Sequence, residues 1–394
     1  MNLDAHIQSA AGLVMDLLAL PGKSCEESQV AEFVRQRLQQ AGADESATVH
    51  DTAHQRTPQP GEVGNLIFQL PGTRPGPRRL LSAHLDTVPL CAGARPQLEG
   101  RRIKPADSHT ALGADNRAGC AAILNAALEI LKNDLPHPPL TFCWFVQEEI
   151  GLQGARCLDV ELLGEPKLAF NWDGGIATNL VVGATGGYRM DIDVLGLASH
   201  AGAAPNLGVS AIAIASLAVA DLHRQGWHGL IEKDGRYGTS NVGGFHGGDA
   251  TNVVAEKVSL IAEARSHDPE FRREIVQAIE AAFENAAKEV VSGAGAVGSV
   301  RFQGRLDYES FKIPDDAPSV RAARRAAQTV GREPQLAIAN GGLDANWLAK
   351  HGIPAVSLGC GQMNQHTVQE MLDLDEFEDA CRIALLLATE ETDS

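Results

Sequence analysis

A repeated local pattern constrains the fold of this chain more than any other feature. Short apolar runs end in histidine or carboxylate side chains, and helical segments lie between the runs. Residues 80–85, 139–146 and 167–172 have the composition of buried strands. Ligand-type side chains close or follow these runs: His84, Asp86, Glu148, Glu149 and Asp173. Ligands of α/β sheets bind outside the carboxyl ends of the strands, so we expect these side chains to converge.

Apolar residues at helical spacing separate the predicted strands. The spacing predicts helices over residues 3–20, 26–42, 116–133 and 374–389. Two more strands are predicted over 64–71 and 353–358, and a loop after the second carries His366. Residues 91–112 show neither period and are expected to be irregular. Alternating strands and helices predict an α/β fold with a mostly parallel sheet flanked by helices.

The length of 394 residues favours two domains. The middle of the chain has a different order of predicted elements: a strand, a helix, two strands, a helix and a strand, over 188–197, 206–224, 238–245, 251–265, 269–291 and 298–307. This order is that of a ferredoxin-like α+β module. We therefore expect residues 1–183 and 312–394 to form one domain and residues 184–311 to be inserted into it.

The charge and cysteine content exclude several classes of partner. The formal net charge of -17 disfavours nucleic acid, and there is no basic cluster for an anionic membrane. No segment has the pattern of a signal peptide or a membrane span. The seven cysteines are odd in number and scattered, and no Cys-x-x-Cys occurs. We expect reduced, mostly buried thiols in a cytoplasmic protein.

A mixed set of nitrogen and oxygen ligands is offered by five side chains: His84, Asp115, Glu149, Asp173 and His366. Such sets suit zinc, and also manganese or cobalt. Five ligands exceed the needs of one tetrahedral ion with an open position, but they fit two ions that share a carboxylate and activate a bridging water. Without cations, clustered carboxylates are expected to raise one another's pKa.

Glu148 and Glu149 are neighbours at a strand end, so their side chains diverge. One can bind a metal while the other, as general base, takes the proton from the attacking water. Each residue also has a structural interpretation. A lone histidine at a strand end is more often structural, adjacent glutamates are usually a solvated pair, and Asp115 alone suits a helix N-cap. Their joint position at strand ends favours the functional interpretation.

Seven segments resemble a known family of co-catalytic zinc exopeptidases and aminoacylases. The family includes peptidase T, carboxypeptidase G, carnosinase and succinyl-diaminopimelate desuccinylase. The matching segments, in chain order, are 82–89, 112–119, 148–155, 171–174, 198–202, 341–345 and the loop that ends at His366. Asp173 and the segment Gly113-Ala114-Asp115-Asn116-Arg117-Ala118-Gly119 are most similar to peptidase T-like members. Asn116 and Leu343 depart from the usual pattern, which has Asp and Thr there.

The resemblance implies a role for each residue. His84 and Asp173 would hold one metal ion, Glu149 and His366 a second, and Asp115 would bridge them. Asp86 would orient His84, and Glu148 would be the general base. In the inserted domain, which would act as a lid and a homodimer surface, three residues would contact substrate: His200 at the oxyanion, and Asn252 and Arg265 at a carboxylate. For Arg265, a surface ion pair is an equally good interpretation.

The sequence leaves three functions open. The first is a dizinc exopeptidase that cleaves small peptides, similar to a tripeptide aminopeptidase. The second is an N-acyl amino acid amidohydrolase or carboxypeptidase, which uses the same water attack on an N-acylated substrate. The third is a catalytically idle binding protein. The presence of Glu148 and of all five predicted ligands disfavours the third.

Overall fold

The computed structural model describes residues 3–391. The helices are α1 (Ala10–Leu18), α2 (Ser28–Gln40), α3 (Ala114–Asn133), α4 (Gln153–Arg156), α5 (Ala211–Arg224), α6 (Pro269–Glu289), α7 (Pro318–Thr329), α8 (Asp344–Lys350) and α9 (Leu374–Thr389). The strands are β1 (Thr48–His50), β2 (Leu66–Leu70), β3 (Arg79–His84), β4 (Pro96–Glu99), β5 (Arg102–Pro105), β6 (Leu140–Phe145), β7 (Leu168–Trp172), β8 (Asn179–Ala184), β9 (Gly186–Leu195), β10 (Gly229–Lys233), β11 (Arg236–Gly247), β12 (Lys257–Ser266), β13 (Ser299–Tyr308), β14 (Phe311–Lys312), β15 (Gln335–Ala339), β16 (Ala355–Leu358), β17 (Gln362–Met363) and β18 (Met371–Asp373).

The chain divides into two compact units. Thr185–Phe311 forms the second unit, and the residues before and after it together form the first. The first unit contains a mixed sheet in the order β1-β2-β6-β3-β7-β16-β8, with β15 also paired to β8. The neighbouring strands β6, β3, β7 and β16 are parallel to one another. β2 pairs antiparallel with β6 on one side and with β1 on the other. The predicted α/β class, a mainly parallel sheet flanked by helices, is confirmed.

The central strands are apolar along their whole length because both faces of the sheet are covered. Every residue of β3, β6, β7 and β16 is buried. Near-continuous burial of this kind is typical of parallel strands packed between helices. α3 packs against β3 and α9, and α7 and α8 both contact β16. The rigid layer holds the carboxyl ends of four adjacent strands in fixed positions.

A small second sheet corrects the prediction that residues 91–112 are irregular. β4 and β5 form an antiparallel hairpin, and β5 pairs with β18 through Leu372 and Ile103. β17 completes this four-stranded sheet. The strands have two to four residues, which is too short for a period to be visible in the sequence. Since β17 and β18 flank the loop of His366, this sheet anchors both ends of that loop.

The second unit is a five-stranded antiparallel sheet with α5 and α6 packed on it. Its order is β10-β11-β12-β9-β13. The core between sheet and helices includes Ile192, Leu260, Phe271, Ile279 and Phe283. β12 alternates between buried and more exposed residues, as expected for a strand with one covered face. The observed order contains one strand, β10, more than the predicted module.

Several predicted boundaries are wrong. The first helix begins at Ala10, because Leu3–His6 forms a separate 3-10 turn. α5 begins at Ala211, since the side chain of Ser210 accepts the N–H of Ala213 and caps the helix there. The strand predicted from residue 251 begins only at Lys257. In each case the element begins later than the apolar pattern suggests, because a local cap or turn precedes it.

Two further expectations concerned membrane-spanning segments and the state of the cysteines. Among residues 3–391 no helix has both the length and the apolar content to cross a membrane. All seven cysteines are free thiols, and five of them are buried: Cys91, Cys120, Cys143, Cys360 and Cys381.

Candidate metal centre

The candidate ligands gather at the carboxyl ends of the parallel strands. His84 is the last residue of β3, and Asp173 directly follows β7. Glu148 and Glu149 follow β6, with two residues between the strand and Glu148. Because β6, β3 and β7 are adjacent and parallel, these residues share one edge of the sheet. Asp115 lies at the start of α3, and a cis peptide bond joins it to Asn116.

Two groups of possible ligands share Asp115. His84, Asp115 and Asp173 each offer one atom such that all three atoms lie within 4.8 Å of one another. The same holds for Asp115, Glu149 and His366. His84 Nε2 lies 3.2 Å from Asp115 Oδ1, and His366 Nε2 lies 3.3 Å from Asp115 Oδ2. Each oxygen of Asp115 therefore faces a different histidine.

The two histidines differ in their surroundings. The His84 side chain is buried, with 1% of its surface exposed, whereas 52% of His366 is exposed. His366 Nε2 also lies 2.9 Å from Glu149 Oε2. One end of the ligand set is therefore anchored in the sheet, and the other opens to solvent from a loop.

Asp86 lies near His84 and also holds the segment that follows β6. The His84 Nδ1 atom is 3.1 Å from the Asp86 backbone oxygen and 3.4 Å from its carboxylate. The buried carboxylate instead accepts the Ser24 hydroxyl at 2.6 Å and the N–H groups of Glu148 and Glu149 at 3.0 and 3.1 Å. The residue predicted to orient His84 by its carboxylate thus contacts the ring chiefly through its carbonyl.

The charges of this cluster shift the pKa values in both directions. Burial opposes ionisation of His84, but the carboxylates of Glu148 and Asp115 raise its pKa well above 6.5. Hydrogen bonds to Asp115 and Glu149 raise the pKa of His366 to about 10. Burial, followed by the charge of Asp115, raises the pKa of Asp173 to about 7.

Asp115 corrects the expectation that every clustered carboxylate has a raised pKa. Burial alone would raise it, but hydrogen bonds to His366 and His84 hold the pKa of Asp115 well below 3.8. The physical reason is its position between two imidazoles, which stabilise the charged carboxylate. The surroundings of Asp115 therefore favour its charged form.

Glu148 is a third carboxylate near His84, after Asp115 and Asp86. Its Oε2 atom lies 3.9 Å from His84 Nε2, and 11% of the side chain is exposed. Burial is the largest cause that raises the pKa of Glu148 well above 4.5, and the charges of Asp344 and Asp173 add to it. A carboxyl group with a raised pKa can both accept and return a proton near neutral pH.

The sequence analysis missed Glu370, a buried carboxylate that holds the segment before Asp115. Its oxygens accept the N–H groups of Leu112 at 2.9 Å, Gly113 at 2.7 Å and Asp115 at 3.0 Å. Glu370 is 1% exposed. The only local signal is its position four residues after His366, which does not distinguish it from a surface glutamate.

Glu27 and Asp344 are two further buried carboxylates that the sequence analysis did not single out. Glu27 Oε1 accepts the N–H groups of Cys25 and Gln147 at 2.9 and 3.0 Å, so it holds the segment that precedes Glu148. Asp344 is 1% exposed, and within residues 3–391 neither of its oxygens has a hydrogen-bond partner. Burial is the main cause that raises the pKa of Asp344 well above 3.8.

Asn116 fits its position as an amide. Its Nδ2 donates to the carbonyl of Trp172 at 2.7 Å, and its Oδ1 accepts the N–H of Gly119 at 3.0 Å and the Gln362 side-chain amide at 2.9 Å. A carboxylate could not donate to the Trp172 carbonyl. The departure from the family pattern is therefore matched by a complete set of partners that joins the segments of Asp115 and Asp173.

The three predicted substrate contacts all lie in the second unit. His200 is exposed, and its Nδ1 accepts the N–H groups of Gly202 and Ala203 at 3.2 and 3.0 Å. This leaves Nε2 as the protonated, donating nitrogen. Asn252 lies near His200, because its backbone carbonyl accepts the N–H of Ala201 at 2.9 Å.

Arg265 forms an ion pair, which is the structural alternative that the sequence offered for it. Its Nε and Nη2 atoms each donate to the carboxylate of Glu263 at 3.0 Å. A bidentate partner of this kind matches the planar guanidinium. Any substrate carboxylate at Arg265 would have to compete with Glu263.

Comparisons with known proteins agree with this fold. A model of Peptidase family M20/M25/M40 matches residues 80–390. The YqjE protein of Bacillus subtilis (strain 168) is 32% identical over 379 residues, covering 95% of this chain and 96% of that protein. The crystal structure of a tripeptidase from Staphylococcus aureus subsp. aureus mu50 is 30% identical, with a TM-score of 0.88 and 97% of each chain covered. That of aminopeptidase PepT from Bacillus cereus ATCC 10987 is 32% identical, with a TM-score of 0.84 and 99% of each chain covered.

The fold and the cluster of ligand-type residues define a metal-dependent hydrolase that acts on peptide bonds. The chain belongs to peptidase family M20/M25/M40, since the family model and relatives of more than 30% identity match most of its length. The family resemblance and its peptidase T-like character are confirmed.

Proposed function

We propose that the protein is an exopeptidase that removes the N-terminal residue of small peptides, with tripeptides as the preferred class, and that it uses two divalent cations. One observation carries the proposal: two ligand groups share Asp115, and Glu148 lies beside the first of them. The tripeptidase and the aminopeptidase PepT, at 30% and 32% identity, support the choice of substrate class.

The donor set fits two cations of the zinc, cobalt or manganese type. Imidazole nitrogen and carboxylate oxygen are ligands that these ions accept. The two oxygens of Asp115 face different imidazole nitrogens, at 3.2 Å for His84 and 3.3 Å for His366, so each side of this carboxylate offers a cation one oxygen and one nitrogen. His84 and Asp173 would hold the first ion and Glu149 and His366 the second, with Asp115 shared between them.

Bound cations would polarise the scissile carbonyl and make water nucleophilic at neutral pH. Glu148 then acts as the general base: its carboxylate takes a proton from the attacking water and later donates it to the leaving amine nitrogen. The raised pKa of Glu148, which burial causes, suits this exchange because it makes the carboxylate a stronger base toward the proton of the water. The hydrogen bonds from the Glu148 and Glu149 backbone N–H groups to Asp86 hold the backbone from which both side chains project.

In the second unit, His200 is the residue best suited to stabilise the oxyanion. Its Nδ1 accepts two backbone N–H groups, so its Nε2–H is free to donate. Asn252 and Arg265 would contact the substrate carboxylate, with Arg265 giving up part of its bond to Glu263. We propose that this unit acts as the substrate-binding lid.

The test is hydrolysis of matched free and N-acetylated di- and tripeptides. The enzyme is assayed with a chelator present and again after zinc, cobalt or manganese is added back. We expect chelator-sensitive cleavage of free tripeptides, and little cleavage of their acetylated forms. Activity confined to acetylated substrates would instead indicate an amidohydrolase or carboxypeptidase.

A matched pair of variants tests the role of Glu148. Glu148→Gln is expected to lose at least a hundredfold in kcat while it retains its metal content, in line with the usual contribution of a general base of about 10²–10⁴-fold. Glu161→Gln, at an exposed position, is the control and should keep full activity. Hydrolysis by a metal-loaded Glu148→Gln variant at the wild-type rate would rule out the proposed base.

A further inference from the structure

A row of three buried polar side chains crosses the sheet of the first unit. Ser82 lies on β3, Asn171 on β7 and Ser357 on β16, and none of the three is more than 1% exposed. The Ser82 hydroxyl donates to Asn171 Oδ1 at 3.0 Å, and Asn171 Nδ2 donates to Ser357 Oγ at 3.3 Å. Ser82 and Ser357 are the cross-strand partners of Asn171 on its two sides. The hydrogen bonds therefore join three adjacent strands at one level of the sheet.

The stability of the fold does not explain the row. Every residue of these three strands is buried, and the neighbours of Asn171 along β7 are Phe170 and Trp172. A buried amide or hydroxyl loses its bonds to water, and its hydrogen bonds within the protein do little more than offset that loss. Apolar side chains of similar size would fill the same space without this cost. What the row adds is a fixed alignment of the strands, because a slip in register would separate its members.

The row marks the position at which β3 and β7 stop pairing. Ser82 and Asn171 are the last partners in the backbone register of these two strands. Beyond them each strand stays with its other neighbour: β3 pairs with β6 up to His84, and β7 pairs with β16 up to Trp172. The carboxyl ends of β3 and β7 are therefore held by different neighbours, and the hydrogen bond between Ser82 and Asn171 lies at the last paired position between them.

The side chain of Asn116 enters where this pairing stops. Its Nδ2 donates to the carbonyl of Trp172, one residue past Asn171, at 2.7 Å. Asn116 directly follows Asp115, so the segment that carries the shared carboxylate is tied to β7 at this point. The start of α3 is thereby fixed to the same end of β7 as Asp173.

Two ligands of the proposed first cation lie just beyond the row. His84 follows Ser82 by two residues on β3, and Asp173 follows Asn171 by two residues at the end of β7. The N–H of Asp173 bonds to the carbonyl of Leu358 at 2.8 Å, so the extended chain continues to this residue. Side chains two apart on a strand leave on the same face, so each ligand shares its face with a member of the row. At about 3.3 Å per residue, the row and the ligands are roughly 7 Å apart along the strands.

We propose that Ser82 and Asn171 are positioning residues for the first cation. Their hydrogen bond fixes the spacing of β3 and β7, and thereby the distance between the His84 imidazole and the Asp173 carboxylate. Groups that hold metal ligands in place commonly determine metal affinity in this way. The two unshared ligands of the second cation come from other segments, so the pair acts on the first cation alone. This inference rests on the proposed function, which requires two cations.

The test is titration of zinc into the metal-free protein in competition with a chelating dye, which resolves the two binding steps. The matched variants are Ser82→Ala and Ser357→Ala. Each removes one buried hydroxyl from one end of the row, but only Ser82 joins the strands that carry His84 and Asp173. Urea unfolding of the metal-free variants measures the loss of stability separately from the loss of metal affinity.

We expect Ser82→Ala to bind one of the two zinc ions about 10–100-fold more weakly than wild type and the other ion equally well. Ser357→Ala should bind both ions as wild type does, although it loses a comparable amount of stability. Wild-type affinities in Ser82→Ala would overturn the proposal. Equal weakening in both variants would also overturn it, since the row would then act through general stability. A wild-type protein that binds fewer than two zinc ions would instead overturn the proposed function, and this inference with it.

Discussion

The Asp86 carboxylate accepts the backbone N–H of Glu148 at 3.0 Å, across 62 positions of the chain. The same carboxylate accepts the N–H of Glu149 at 3.1 Å. The end of β3 therefore fixes the backbone from which the proposed general base and one proposed ligand project. Asp86 is a positioning residue for both glutamates.

Replacement of Asp86 by Asn tests this link. An amide has one acceptor oxygen and adds an N–H₂ group, which would face one of the two backbone N–H groups. We expect kcat to fall by about 10–100-fold, the usual effect of disturbing groups that hold metal ligands. Metal affinity, measured by titration into the stripped enzyme, should fall as well. Asp134→Asn, at an exposed position, is the matched control, and an Asp86→Asn variant as active as this control would contradict the role.

Glu370 is expected to stabilise both the fold and the segment that carries Asp115. In Glu370→Gln, at least one of the three N–H groups that it accepts would face an amide N–H₂ group instead. An unsatisfied buried donor costs about 1–3 kcal/mol, so urea unfolding should show a loss of that size. The variant should also bind the metal ions more weakly. Glu333→Gln, which is exposed, should change neither quantity. If Glu370→Gln and Glu333→Gln have the same stability and the same metal affinity, the hydrogen bonds of Glu370 contribute to neither.

Glu27 should make the protein less stable as the pH rises from 4.5 to 7. Burial, followed by the charge of Asp86, raises the pKa of Glu27 from its ordinary 4.5 to about 7. The folded state therefore binds this proton more tightly than the unfolded state, and that advantage is lost as the pH rises through about 7. The difference corresponds to about 3 kcal/mol.

The Glu27→Gln variant isolates this contribution. One oxygen of Glu27 accepts both N–H groups, and the other has no hydrogen-bond partner in the part of the chain that the structure describes, so an amide can replace the carboxylate without losing a bond. Relative to wild type, the variant should gain about 2–3 kcal/mol of unfolding free energy between pH 5 and pH 8. Glu26→Gln, at the exposed neighbouring position, should gain nothing. An identical pH dependence for wild type and Glu27→Gln would contradict the assignment.

Metal binding should release protons at neutral pH. Asp115 and Glu149 raise the pKa of His366 to about 10, so this imidazole is protonated at pH 7 before a metal ion binds. A metal ion requires the neutral ring, and its affinity should rise with pH up to about 10 for this reason. Calorimetric titration of zinc in buffers of different ionisation enthalpy measures the release. A binding enthalpy that does not depend on the buffer would contradict it.

Local sequence determined where the candidate ligands lie. His84 and Asp173 are at strand ends because an apolar run that crosses a buried sheet must end where polar atoms reach solvent or a site. The same logic located Glu148 and Glu149 after β6. These signals need only a few neighbouring residues, which is why the fold class and the candidate positions at the strand ends could be predicted without a structure.

Tertiary structure decided which groups hold that site together. Glu370 and Asp115 are 255 positions apart, and Glu27 and Gln147 are 120 apart, so no local pattern links them. The low pKa of Asp115 likewise depends on two histidines from distant segments. Hydrogen bonds and charges act through space over a few ångströms, and only the packed chain brings these groups within that range.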